Sequence, residues 1–132
     1  MSKDQKSDRF KKGWAKLQEV HGQVGQDVLD ELAETAPALS EFIIEYPYGD
    51  IYSRPGLDVR SRQIATISAL TAMGNAHKEL TVHIQAGLNV GLTKEEIIEI
   101  IMQMSVYAGF PAAMNGIEAA KEAFEKFEAK AT

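Results

Sequence analysis

Between residues 45 and 62 the chain reads EYPYGDIYSRPGLDVRSR, and no other stretch limits the fold as much. Pro47, Gly49, Pro55 and Gly56 all fall within it, so a long helix is not expected to run through. Three of the four tyrosines stand here, Tyr46, Tyr48 and Tyr52, beside Arg54, Asp58, Arg60 and Arg62. Aromatics and arginines gathered on a break between helices fit a shaped site or a subunit contact, because loops held by a rigid scaffold often carry function. They fit equally an ordinary connection whose tyrosines cover a neighbouring core.

On either side of this stretch the apolar residues recur at helical spacing. Phe10, Trp14 and Leu17 predict a first helix over residues 10–20, weakened afterwards by Gly22 and Gly25. Asp27 can cap a short second helix to residue 33, with Val28, Leu29 and Leu32 apolar. Pro37 suits the first turn of a third, to about residue 46, with Leu39, Phe42 and Ile43 as its stripe. Asp58 is a good N-cap for VRSRQIATISALTAMG, which is apolar almost all round beyond Gln63 and is expected to be the central buried helix. A helix over residues 76–90 should end at Gly91. Thr93 and Glu96 form a capping box for the next, which carries Ile97, Ile101, Met104 and Ala108 on one face to about residue 107. Pro111 opens a last helix to about residue 127, with Ile117, Ala120 and Phe124 inward. No strand, internal repeat or low-complexity tract is visible. The expectation is one all-α domain of six or seven helices over residues 1–132, with residues 1–8 flexible.

Composition narrows the functional classes. At 132 residues with 45% hydrophobic and 25% charged, the chain can bury a real core. A net charge of −5 argues against nucleic acid, yet a local arginine cluster can still bind an anion. With no cysteine there is no disulfide, thiolate nucleophile or cysteine-held metal. The charged start MSKDQKSDRFKKG does not read as a signal peptide, and the apolar stretch 64–73 is too short to span a bilayer. A cytoplasmic location fits, with no membrane partner.

Few residues can do chemistry. Glu79 and His83 are four apart on one helix, so they share a face, and the carboxylate could hold one imidazole tautomer. His77 lies on a different face, so the two histidines do not make a zinc pattern, and an ion pair on the helix surface explains His83 and Glu79 as well. His21 has no partner visible in the sequence and reads as structural or exposed. Arg54, Arg60 and Arg62 are candidate carboxylate binders, since a guanidinium offers a planar bidentate fork. At least one should be structural, paired to Asp50, Asp58 or a glutamate. Met73, Met102, Met104 and Met114 read as core packing rather than a cofactor box.

Three ordered segments, EYPYGDIYSRPGLDVRSR, HIQAGLNVGLTKEEI and IMQMSVYAGFPAAMNGIEAAKEAF, together resemble the carboxymuconolactone decarboxylase family. The resemblance covers about residues 9–127. It implies an all-helical, alkylhydroperoxidase-like subunit assembled as a trimer or hexamer. It also implies cofactor-free, metal-free decarboxylation of 4-carboxymuconolactone to the enol-lactone of 3-oxoadipate, in protocatechuate catabolism. Related peroxidases of this fold use a Cys-x-x-Cys pair four residues before a histidine. Here Ala76 and Glu79 stand at those places before His83, and Gln63 stands near where the relatives carry a glutamate. Disulfide redox chemistry is therefore excluded.

On this resemblance the expected roles are as follows. Arg54 and Arg62 hold a carboxylate, His83 oriented by Glu79 stabilises the dienolate oxygen or donates the proton, and Tyr48 or Tyr52 adds a hydrogen bond. Phe110 and Met114 would form an apolar wall facing the departing carboxylate. The other readings are a family member that acts on or binds another small carboxylated lactone-like ligand, and a structural oligomer whose Tyr/Arg stretch seals subunit contacts.

Overall fold

A computed structural model describes residues 5–131. Among the described residues the chain forms seven α-helices and one π-helical segment, with no strand, as an all-α reading requires. Residues 1–4 of the stretch expected to be flexible lie outside the described residues, whereas Ser7 already caps the first helix. The chain divides into two compact units, one ending at Asp58 and the other beginning at Val59.

The first unit contains α1 (Asp8–His21), α2 (Gln23–Thr35), α3 (Pro37–Ile43) and the π-helical segment Ile44–Ile51. Ser7 Oγ accepts the Phe10 N–H at 3.1 Å and so satisfies one open donor of α1. The second helix starts at Gln23, four residues before the expected cap; Asp27 instead lies inside it and accepts a hydrogen bond from Gln23 Nε2. Gly25, read as a weak point, is a packing residue. A Cβ there would lie 2.4 Å from the Cβ of His21. Leu39 and Phe42, expected inward, are exposed, and the buried residue of α3 is Ser40, whose hydroxyl donates to the Leu29 carbonyl at 2.7 Å.

The expected break after residue 46 is the largest correction. The helix runs on to Ile51 by widening into a π turn that contains Pro47. Proline lacks an N–H and clashes with the carbonyl one α-turn back. A turn widened to five residues relieves that clash, and the Pro47 carbonyl accepts the Tyr52 N–H at 2.7 Å. Two glycines let α1 lie directly on this segment. A Cβ at Gly13 would sit 1.9 Å from the Ile44 carbonyl oxygen, and one at Gly49 would sit 2.8 Å from that of Arg9. Phe10, Leu17, Leu29, Ile44 and Tyr48 form the core of the unit, flanked by Trp14, Leu32, Ile43 and Tyr52.

The second unit contains α4 (Val59–Met73), α5 (His77–Asn89), α6 (Lys94–Ala108) and α7 (Phe110–Ala131). The Thr93–Glu96 capping box is formed in both directions. Gly109, at φ 91°, turns the chain between α6 and α7. Ile67, Leu80, Ile84, Leu92, Ile97, Ile101 and the alanines 119, 120 and 123 make the core. Each fully buried isoleucine here contributes about 1.5–3 kcal/mol. Only one stripe of α4 is buried, Gln63, Ile67 and Thr71, while Ala65, Ala69 and Ala72 are exposed, so this helix is less enclosed than its composition suggests.

The methionines also depart from expectation. Met73, Met102 and Met114 are exposed rather than packed in a core. With Val106, Tyr107 (79% exposed) and Phe110 (75%), the latter two belong to an apolar surface around the α6–α7 turn. Residues 100–117 contain no charged side chain. No helix among the described residues is long and apolar enough to cross a membrane.

Candidate functional site

The chemistry-bearing residues form separate groups in the two units. In the first unit the group centres on Tyr48, which the π turn directs into the core. Its Oη lies 2.7 Å from His21 Nε2, with the two rings edge to face at 5.6 Å. The Tyr52 ring tilts against it at 5.1 Å. Burial first, and then the neighbouring Tyr52, raise the Tyr48 pKa far above its ordinary value, so the phenol is neutral throughout the physiological range. His21 thus has a partner that sequence spacing could not show, because the widened turn sets which side of the segment Tyr48 occupies. Arg54 follows in an exposed turn, its backbone N–H donating to the Ile51 carbonyl. Asp50, expected to pair with one of the nearby arginines, is instead gripped by Arg9 through two guanidinium nitrogens, at 3.0 and 2.6 Å.

In the second unit the group centres on His83, partly buried on α5. Its Nδ1 lies 3.2 Å from Oε1 of Gln63, a residue of α4 with no exposed surface. An amide oxygen can only accept, so the shared proton sits on Nδ1. Desolvation pushes the His83 pKa down to about 4, and the charge of Glu79 one turn earlier opposes that fall. At neutral pH His83 is therefore an uncharged imidazole with its proton on Nδ1 and a lone pair on Nε2. Gln63 was not singled out as a site residue by sequence reasoning. The available signal was an amide on the otherwise apolar side of α4, which needs buried partners.

Arg62 lies beside Gln63 on α4 and is partly buried. Arg60 pairs with Glu96, the capping-box carboxylate, so at least this one of the three arginines has a structural role. The Thr93 backbone N–H, and then Arg60, hold that carboxyl below its usual range. Phe110 opens α7 on the exposed surface, with Met114 one turn on. His77 meets Glu122 of α7 at 2.8 Å, beside a cleft of about 270 Å³. Leu70, Thr71, Asn75, His77, Leu80 and Asn115 line it, and none of the residues expected from sequence does so. Among the described residues no three histidine or acidic side chains gather as metal ligands.

An all-helical, cysteine-free chain with a neutral, amide-held histidine is suited to proton chemistry without thiols. The profile of the Carboxymuconolactone decarboxylase family matches residues 37–122, and the chain belongs to that family. It is 36% identical over 118 residues to the 4-carboxymuconolactone decarboxylase of Acinetobacter baylyi, covering 89% of this chain and 87% of that protein. An uncharacterized 15.0 kDa protein of Paracoccus denitrificans is 35% identical over 97 residues, or 73% of this chain and 70% of that one. The nitrosuccinic acid decarboxylase of Metarhizium robertsii is 32% identical over 77 residues, covering 58% of this chain and 53% of that protein.

Proposed function

We propose that this protein is a carboxy-lyase that decarboxylates 4-carboxymuconolactone to the enol-lactone of 3-oxoadipate, in the cytoplasmic breakdown of aromatic compounds. The observation that carries the reading is the 36% identity to a decarboxylase of that name over nearly the full length of both chains. The chemistry of the residues supports it. The leaving carboxylate sits on a ring carbon conjugated through a C=C bond to the lactone carbonyl. Its loss as CO2 moves the bonding pair into the lactone, which becomes a dienolate. The substrate is its own electron sink, and the protein must hold the remaining carboxylate and return one proton to carbon.

In this reading Arg62 or Arg54 grips the carboxylate that stays, as a bidentate guanidinium can. His83 handles the proton, with Glu79 raising its proton affinity. Tyr52 or Tyr48 donates a hydrogen bond to the ligand. Fixed donors aimed at developing charge are each worth about 3 kcal/mol. The exposed apolar surface around Phe110 serves self-association, as a trimer or hexamer. The test is incubation with 4-carboxymuconolactone, followed by ultraviolet absorbance and CO2 release. Stoichiometric CO2 is expected, and its absence at high enzyme concentration would refute the assignment.

A second reading keeps the reaction type and changes the substrate. The similarity to a nitrosuccinic acid decarboxylase favours it, because that name denotes an acyclic acid rather than a lactone. CO2 release from another small carboxylated compound, with none from the lactone, would select this alternative.

A further inference from the structure

Gln63 stands out among the polar groups that the expected roles leave unused. Its side chain has no exposed surface, and no buried side-chain nitrogen or oxygen among the described residues lacks a hydrogen-bond partner. Both ends of the amide are therefore engaged. The end that faces His83 is the carbonyl oxygen, 3.2 Å from Nδ1, so the NH2 group is engaged elsewhere. Burying an amide on a helix face otherwise occupied by Ile67 and Thr71 is costly unless it does something an apolar residue could not.

From this arrangement we infer that Gln63 is a positioning residue that confines proton exchange of His83 to Nε2. The inference rests on the decarboxylase reading for its purpose, though not for its geometry. The Nδ1–H bond to Oε1 survives in both states of the ring, because Nδ1 carries a proton in this neutral tautomer and in the imidazolium alike. Only Nε2 can then gain or lose a proton. When an anionic ligand binds nearby, its charge favours protonation at Nε2. That proton is what the dienolate carbon takes up after CO2 departs, and the imidazole returns to its resting tautomer. Charge balances: one proton enters with the ligand and leaves in the product. A neutral amide suits this cycle better than a carboxylate. A carboxylate at position 63 would hold the imidazolium at rest and would repel the anionic ligand.

The experiment is nitrogen-15 NMR of the histidine side chains in the intact protein near neutral pH, with no ligand added. His83 resonances are assigned by their loss in His83→Gln. In the wild type His83 should show a protonated Nδ1 and a bare Nε2. Gln63→Glu should keep that tautomer but raise the protonated fraction. Gln63→Leu should release it toward the Nε2–H form favoured in water, with kcat falling ~10-fold or more. A bare Nδ1 in the wild type, or an unchanged pattern in Gln63→Leu, overturns the inference. If Gln63→Leu does not fold, the wild type and Gln63→Glu still decide. Should the tautomer be as expected while no carboxylated substrate turns over, the decarboxylase reading fails and the tautomer lock stands.

Discussion

The Tyr48 hydroxyl and His21 Nε2 meet at 2.7 Å across 27 positions of chain, tying the π-helical segment to the last turn of α1. The contact lies against the core of its unit, where a polar pair is stable only while both partners are present. It also fixes how Tyr48 can take part in any reaction, because its hydroxyl already has a partner.

Tyr48→Phe should therefore destabilise the protein by about 1–3 kcal/mol, the cost of leaving a ring nitrogen without its partner. Urea titration would measure it. Combined with His21→Phe, the double variant should lose less than the two single variants together, with a coupling of about 1 kcal/mol. Strict additivity would mean that the hydrogen bond contributes nothing.

Gly13→Ala should be among the most damaging substitutions in the chain. The obstacle to its methyl group is a backbone carbonyl of the π segment, which no rotamer change can move. Overpacking of this kind costs about 1–3 kcal/mol. Gly22→Ala makes a useful comparison, because nothing lies within 4 Å there and its cost arises from φ alone. A smaller loss of urea stability at Gly13 than at Gly22 would contradict the close contact.

Much of the second unit was legible in the sequence, for identifiable reasons. The Thr93–Glu96 box marks a start and the glycines at 74, 91 and 109 mark stops, all through local rules of backbone hydrogen bonding and φ. Residues 45–51 were misread because Pro47 and Gly49 signal a break in an α-helix but are tolerated in a wider turn against α1. Exposed Leu39, Phe42, Met114 and Ile117 were misread as inward because periodicity gives the apolar face of a helix and not what covers it. At the site, Glu79 and His83 were visible as an i,i+4 pair. Gln63 was not, because its bond to His83 spans 20 positions and two helices.

Replacing a guanidinium by an ammonium keeps the charge but loses the two-pronged grip on a carboxylate. Arg62→Lys should raise KM by ~10-fold with little change in kcat, and Arg54→Lys should do the same if both arginines serve. Arg60→Lys is the control, since its partner is Glu96. Steady-state kinetics on the three variants would show which arginine binds substrate. An equal effect at Arg60 would point instead to a general weakening of the fold.

The surface around the α6–α7 turn predicts an assembly. Val106, Tyr107, Phe110 and Met114 are all strongly exposed within a stretch that has no charged residue. An apolar patch of this kind commonly marks a protein contact. Phe110→Glu should shift the protein to a smaller species in sedimentation velocity while its helical circular dichroism persists. An unchanged sedimentation coefficient would remove this face from the assembly.

His83 gives the chain a pH dependence of known sign. Its pKa is about 4 in the folded protein, against about 6.5 for an ordinary histidine. Between those values the unfolded chain binds a proton that the folded chain does not. Stability from this group is therefore complete above pH ~6.5, falls as the pH drops toward ~4, and changes no further below that. The loss is at most about 3 kcal/mol. His83→Gln removes the titrating group while keeping an amide that can donate to Gln63. Its urea stability should fall less than that of the wild type between pH ~7 and ~4.5, because carboxylates common to both proteins cancel in the difference. The same variant should lose ~100-fold or more in kcat if His83 carries the proton. Parallel stability curves would show that the imidazole is no less basic in the fold than in water, and full activity would remove it from the reaction.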